Sequence, residues 1–287
     1  MYLSDAERLF YLINHARGLE QAASVFSALR SVSVEPILIK GWAVACYYPF
    51  YSRQYSDIDI CVAPEDYEKA LEVIKEANLP VDLHCGLRHL DSLDWEELFS
   101  NSVLIDTEKG TIRVLSEEDH LRILCIHWLT DGGVNRERLK DVYYLIRGRR
   151  RDFDWKKVFD VVERKRREWV EVVIGIADIY FDLQSELAAS PVEDARKKVP
   201  SWMIKFLEKQ WKNCERIIPL HLCLHDYKLF LRQLSLRFPP NPINAMIEVN
   251  GSLTDSRVRV LLYQTGSFFK RFFGFLRRLL HKYTKRD

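Results

Sequence analysis

Ile37-Leu38-Ile39-Lys40-Gly41-Trp42, followed by Arg53 and then by Ser56-Asp57-Ile58-Asp59-Ile60-Cys61-Val62, is the most informative stretch of this chain. Its second part has the alternation of a β-strand. Side chains of a strand point to opposite faces in turn, so Asp57 and Asp59 are expected on one face. Ile58, Ile60 and Val62 would occupy the other, against a core. Adjacent carboxylates repel unless cations hold them together, and a pair of divalent ions carrying a nucleoside triphosphate is a common partner for such a set. A glycine turn upstream could bring backbone N–H groups to the phosphates. The competing reading of D-x-D alone is a strand edge with two solvated carboxylates. The Lys40-Gly41 turn, Arg53 and the apolar strand favour the metal reading.

These residues resemble the nucleotidyltransferase superfamily of the DNA polymerase β type, whose signature is a glycine turn, a spacer and D-x-D on a strand, with a third carboxylate on a later strand. More narrowly, the chain resembles the bacterial family termed uncharacterised nucleotidyltransferases, with its L-K-G…R…D-I-D pattern and a later D-L-H. The last element is matched by Val81-Asp82-Leu83-His84. The likeness continues through Val114–His120, Cys125-Ile126-His127 and Arg138–Leu145, and covers roughly residues 30 to 185.

The resemblance implies an α+β fold, a small mixed β-sheet with flanking helices followed by a helical domain. It implies two Mg2+ ions, or Mn2+ in their place, on Asp57, Asp59 and Asp82. It also implies transfer of NMP from an NTP to an acceptor hydroxyl or phosphate, with release of pyrophosphate. Asp82 could also take the acceptor proton. Many superfamily members carry Gly-Ser or Gly-Gly at the turn, where this chain has Gly41-Trp42. Trp42 can offer only its backbone N–H there, so more of the phosphate binding would fall to Lys40 and Arg53. The alternative is a nucleotide-binding, membrane- or partner-recruited module without turnover.

The chain has 287 residues, 47% apolar and 29% charged, the balance of a globular protein large enough for two domains. Its six Cys form no C-x-x-C pair, which favours a reducing, cytoplasmic setting, and the N-terminus lacks a signal-peptide pattern. The net charge of +2 is unevenly placed. From Ser201 onward 16 Lys/Arg face 6 Asp/Glu, whereas the first 200 residues hold 27 against 35. The acidic front fits a metal-binding domain and the basic back fits an anionic partner, with nucleic acid the favoured acceptor. Such asymmetry also arises without function.

Periodicity predicts helices over 4–30, 41–48 and 65–76, strands at 37–39, 57–62 and around Asp82, and a hairpin over 102–106 and 111–114. Helices then follow over 117–130, 136–147, 154–166 and 168–187, with a Ser116/Asp119 capping pair. A polar linker is expected over 190–200, helices over 202–213 and 219–236, and a break at Pro239-Pro240-Asn241-Pro242. The expected domains are 1–115, catalytic; 116–238, helical; and 239–287, an extension.

Further candidates carry alternatives. His84 shares a strand face with Asp82 and could hold phosphate or orient that carboxylate, or be structural. Arg53 could clamp phosphate bidentately, and Ser56 precedes the D-x-D. Lys140, Asp141 and Tyr144 share a helix face. The resemblance puts Lys140 on phosphate and Tyr144 on the base, while an interhelical bond for Asp141 and a core position for Tyr144 are the plain readings. His120 and His127 are seven apart and are read mainly as packing, with His127 the one that could border the cleft. Cys214, His221, Cys223 and His225 are zinc-type ligands without a recognised spacing. Residues 266–283 form an amphipathic pattern, with apolar positions 268, 269, 272, 273, 276, 279, 280 and 283 and a face of Lys270, Arg271, Arg277, Arg278 and Lys282. Such a helix could lie on an anionic membrane surface, dock on a partner, or pack on its own domain.

Overall fold

The computed structural model describes residues 3–87, 90–186, 190–212 and 218–284. It opens with α1 (Asp5–Ser31), closed at its start by a capping box in which the Ser4 side chain accepts the Glu7 N–H and Glu7 accepts the Ser4 N–H. Then come β1 (Ile37–Leu38), the short α2 (Trp42–Ala45), β2 (Ile58–Val62), α3 (Tyr67–Glu76), β3 (Val81–Cys85), α4 (Trp95–Asn101), β4 (Val103–Thr107) and β5 (Gly110–Val114). The strands form one mixed sheet in the order β3-β2-β1-β5-β4. β2 runs parallel to β3 with α3 as the crossover, β1 is antiparallel to β2 and parallel to β5, and β4–β5 is the expected hairpin.

β2 is buried on both faces, and its alternation sorts the two cores. Ile58, Ile60 and Val62 join Leu38, Ile112 and Val114 in a cluster with Ala22, Val25, Phe26 and Leu29 of α1 and Ala70 and Ile74 of α3. Ile37, Ile39 and Cys61 point the other way, into a core shared with the helical half.

That half begins at α5 (Glu117–Thr130) and continues through α6 (Leu139–Gly148), α7 (Trp155–Phe159), α8 (Arg164–Phe181), α9 (Leu183–Glu186), α10 (Ser190–Lys197), α11 (Ser201–Lys212), α12 (Tyr227–Ser235), α13 (Pro242–Glu248) and α14 (Arg257–Thr284). The expected capping pair of α5 is half formed. Ser116 Oγ accepts the Asp119 N–H at 3.2 Å, while the Asp119 carboxylate turns to Arg122. The core runs without a break from Ile37 through Leu129, Val173 and Met203 to Met246 and Val260. This cluster has members on both sides of positions 115/116 and 238/239.

Three sequence expectations are corrected. Residues 190–200 are not a polar linker: Ser190–Lys197 is helical, because Val192 and Ala195 are buried and the Ala195 carbonyl sits where a side chain at Gly175 of α8 would stand, 2.4 Å from the ideal Cβ. The 154–166 helix ends at Phe159, and α8 starts afresh at Arg164. The expected 219–236 helix is split into a single turn over Leu220–Cys223 and α12 from Tyr227. The Pro-rich break stands where expected, between α12 and α13, with Pro242 the first residue of α13 and the Asn241 side chain capping the N–H groups of Ile243 and Asn244. Among the described residues no helix is long and apolar enough to cross a membrane.

Candidate active site

The floor of the site follows from strand register. Asp59 of β2 is paired directly with Asp82 of β3, so the two carboxylates stand side by side on one face of parallel neighbours. His84, two residues further along β3, falls on the same face. Its Nε2 lies 3.5 Å from Asp82 Oδ2 and 3.6 Å from Asp59 Oδ1. Asp57 immediately precedes β2 and is exposed.

The glycine turn makes this floor possible. Beyond β1 the Ile39 N–H donates to the Asp59 carbonyl at 3.1 Å, which sets Lys40 beside Asp59. The Lys40 ammonium lies 3.0 Å from Asp59 Oδ1, with both groups buried. Gly41 then adopts φ +52°, and an ideal Cβ there would stand 3.2 Å from the Asp57 carbonyl oxygen. Any other residue would be strained in that conformation and would press on the backbone that presents Asp57.

Asp59, Asp82, Asp57 and Lys40 line a cleft of about 650 Å³ between the sheet and the helical half. Its near wall is the segment 52–57, with Arg53 and Ser56, and Tyr11 of α1 stands at the same side. Its far wall is Leu124, His127 and Trp128 of α5, Asn135–Arg138 in part, and Lys140, Asp141 and Tyr144 of α6. The walls are strapped together by Asp141. Its carboxylate accepts Arg53 Nε at 2.8 Å, Arg53 Nη2 at 2.9 Å and the Tyr48 hydroxyl at 2.6 Å.

The electrostatics are those of a cation site more than an anion site. Burial alone would raise the Asp59 carboxyl, but the His84 hydrogen bond and the Lys40 charge outweigh it and hold the group down at about 2. Burial, with the Lys40 charge beside it, lowers the His127 imidazole to about 4, so it is neutral at pH 7. Every Lys or Arg lining the cleft has an acidic partner: Lys40 on Asp59, Arg53 on Asp141, Arg138 on Asp131 and Lys140 on Glu137. Among the described residues lining the cleft, Asp57 and Asp82 remain as carboxylates not taken up by a Lys or Arg. One ligand atom each from Asp59, Asp82 and His84 lie within 4.8 Å of one another, a spacing that suits one shared cation. Two carboxylates suit Mg2+, and the imidazole makes Mn2+ an equal or better fit.

The expected site residues divide accordingly. Lys40, Arg53, Ser56, Asp57, Asp59, Asp82, Lys140 and Tyr144 come together in the cleft. His84 lies behind them with the metal-type ligands. Gly41 shapes the turn without lining the cleft. The Trp42 indole is buried in the α1-side core, stacked on His15 at 5.2 Å. Arg53 is held by Asp141, so its fork is already filled, and Asp141 takes the bridging role of its plain reading. Of the zinc-type set, Cys214 lies outside the described residues, and the group with metal-type geometry among the described ones is Asp59, Asp82 and His84.

Arg138, Asn135 and Tyr11 are cleft residues that sequence reading does not single out for a role there, and His127 lines the cleft rather than serving as packing alone. His127 has a sequence signal, its place on the same α5 face as His120. Tyr11 has none, because only the tertiary fold carries α1 to the cleft. Comparison with family models, with curated proteins and with solved structures gives no match for this chain.

Proposed function

We propose that this protein is a divalent-metal-dependent nucleotidyltransferase of the polymerase β type, moving NMP from an NTP to an acceptor hydroxyl or phosphate. The observation that carries this reading is the Asp59–Asp82 pair in register on parallel strands, at the floor of a cleft whose rim holds Asp57. Bound Mg2+ or Mn2+ would neutralise triphosphate oxygens and make the acceptor hydroxyl more acidic. Asp59 and Asp82, with His84, would hold one ion, and Asp57 would reach the cleft from the rim.

The chain's own groups have separate tasks. Lys140 and Arg138 are tied to Glu137 and Asp131 by exposed pairs, worth about 0–1 kcal/mol each, and can change partners for phosphate at little cost. Arg53 cannot, because its pair with Asp141 is buried. Its role is to hold segment 52–57 against α6. Tyr144, tilted on Tyr48 with ring centroids 4.2 Å apart, presents an aromatic face for a base. The acceptor oxygen bonds to the α-phosphorus as the bond to the bridging oxygen breaks. Pyrophosphate leaves, and Asp82 takes the acceptor proton. The basic C-terminal part favours RNA as the acceptor.

The Lys40–Asp59 pair supports a second reading, a nucleotide-binding module without turnover, because the central carboxylate already has a counter-ion. One experiment separates the two. Each α-32P-labelled NTP is incubated with cell extract and Mg2+ or Mn2+, using wild type and an Asp57→Ala/Asp59→Ala variant, and pyrophosphate is assayed in parallel. Wild-type-specific labelling with pyrophosphate release supports transfer. Divalent-dependent NTP binding without pyrophosphate supports the module, and neither binding nor labelling refutes both.

A further inference from the structure

Among its described side chains, the last helix turns a largely polar side inward and an apolar side to water. α14 (Arg257–Thr284) meets the rest of the protein mainly through α13. The face it turns inward is largely polar. The Gln264 side-chain N–H donates to the Pro240 carbonyl at 2.5 Å, the Ser267 hydroxyl donates to Glu248 at 2.5 Å, and Arg271 Nε donates to Glu248 at 3.0 Å. Val260 is a buried apolar residue on this seam.

The face it turns outward is apolar. Val258, Leu262, Phe269 and Phe273 are 68%, 67%, 49% and 62% exposed. At about 100° per residue they fall within one stripe, roughly 180° from the Val260–Gln264–Ser267–Arg271 seam. Phe269 stacks on Phe273, and Phe268 carries the apolar surface across to Phe238, which is 50% exposed. An exposed apolar surface of this kind marks a contact with something that is not water.

Charge decides what that is. Residues 257–284 contain seven Lys/Arg and no Asp or Glu. Arg259, Lys270 and Arg277 are exposed and fall on one flank of the stripe, roughly a quarter turn away. A second copy of this helix would bring cation against cation. A nucleic acid would take the basic flank and leave the stripe in water. An anionic lipid surface satisfies both at once, with the stripe among acyl chains and the flank among headgroups.

We propose that α14 docks this protein onto anionic membrane surfaces, lying in the interface with Phe269 and Phe273 inserted. The inference stands apart from the proposed transfer reaction and does not depend on it.

Flotation of the full chain tests it, on vesicles of phosphatidylcholine alone and on vesicles with about 30 mol% phosphatidylglycerol, at about 0.1 M salt. Binding to the anionic vesicles at least about tenfold above the neutral ones is expected. A cation near an anionic surface contributes about fivefold, so Lys270→Gln/Arg277→Gln should lower binding by roughly 25-fold. Phe269→Ser/Phe273→Ser should lower it by at least about tenfold, with unchanged helical circular dichroism. The charge variant alters only exposed side chains, so it remains informative if the Phe variant misfolds. Failure of the wild type to float overturns the proposal, as does equal binding to both vesicle types. So does anionic binding that ignores both variants, or a sedimenting dimer that dissociates in the Phe variant while vesicles are not bound.

Discussion

Replacing Asp141 by Asn changes one atom type in the strap that joins the two walls of the cleft. In the wild type Asp141 is 4% exposed and its carboxylate accepts three hydrogen bonds, two from Arg53 and one from Tyr48. The amide is nearly isosteric, so packing is retained. With its oxygen in the Oδ1 place the amide keeps the bonds from Arg53 Nε and Tyr48, and its NH2 then faces the Arg53 Nη2 donor in place of the second carboxylate oxygen. Each hydrogen bond to a charged group contributes about 1.5–3 kcal/mol, and removing one partner of a buried pair costs about 3–5 kcal/mol. The pair borders the cleft, where water can reach part of the guanidinium, which places the expected loss at about 3 kcal/mol.

Urea unfolding of Asp141→Asn measures this directly. Arg53→Met and Asp141→Leu, made singly and together, complete the cycle. The double variant should be less destabilised than the sum of the singles by at least about 1.5 kcal/mol, because it leaves neither charge uncompensated. A loss below about 1 kcal/mol for Asp141→Asn, with additive singles, would refute the view that the strap is a desolvated pair. Under the proposed function the same variant should lower turnover, through segment 52–57, without abolishing NTP binding.

Gly41→Ala should cost about 1–2 kcal/mol in thermal or urea unfolding, since it combines a positive φ with a Cβ 3.2 Å from the Asp57 carbonyl. The Asp59 carboxyl, held at about 2 against an ordinary 3.8, contributes stability that is complete above about pH 4 and lost as pH falls through 2. Wild type should therefore lose about 2 kcal/mol over that acid window relative to Asp59→Asn, measured as stability against pH. Asp59→Asn should also weaken Mn2+ binding at least about tenfold by calorimetry or paramagnetic relaxation, and an unchanged affinity would place the ion elsewhere. Arg122→Met leaves Asp91 and Asp119 buried without their shared guanidinium, and an unfolding loss of about 3–5 kcal/mol is expected.

Much of the sheet half is readable because its determinants are local. The D-x-D alternation sets the two faces of β2, and the K-G turn requires its glycine. Val81–His84 reads as a strand, although no local signal states that Asp59 and Asp82 stand in register. The role of Arg53 is not legible, because its partner lies 88 positions away and only packing of α6 on the sheet brings them together. Segment 190–200 reads as a linker because charged residues dominate its composition. Val192 and Ala195 are two short apolar positions in it that are buried, and α10 packs on α8 where Gly175 leaves room. The Pro239–Pro242 run reads as punctuation, although a Pro that follows Asn is also a helix start. In α14 the amphipathic pattern is plain, but not which face turns inward, because that depends on polar partners at Pro240 and Glu248.

The interior that passes unbroken from Ile37 to Val260 has a consequence for the order of events during synthesis. The sheet is completed when Val114 has left the ribosome, yet of the core on one of its faces only Val44, Tyr48, Leu87, Leu90, Leu93 and Leu98 have been made besides the strands' own residues. Ile37, Ile39 and Cys61 wait for α5, and α5 in turn waits for α8 and for α13, which begins only at Pro242. The nascent chain must therefore hold a partly covered sheet while residues 115–242 are made. Chaperone dependence should rise in chains truncated after the sheet and fall once α13 is made.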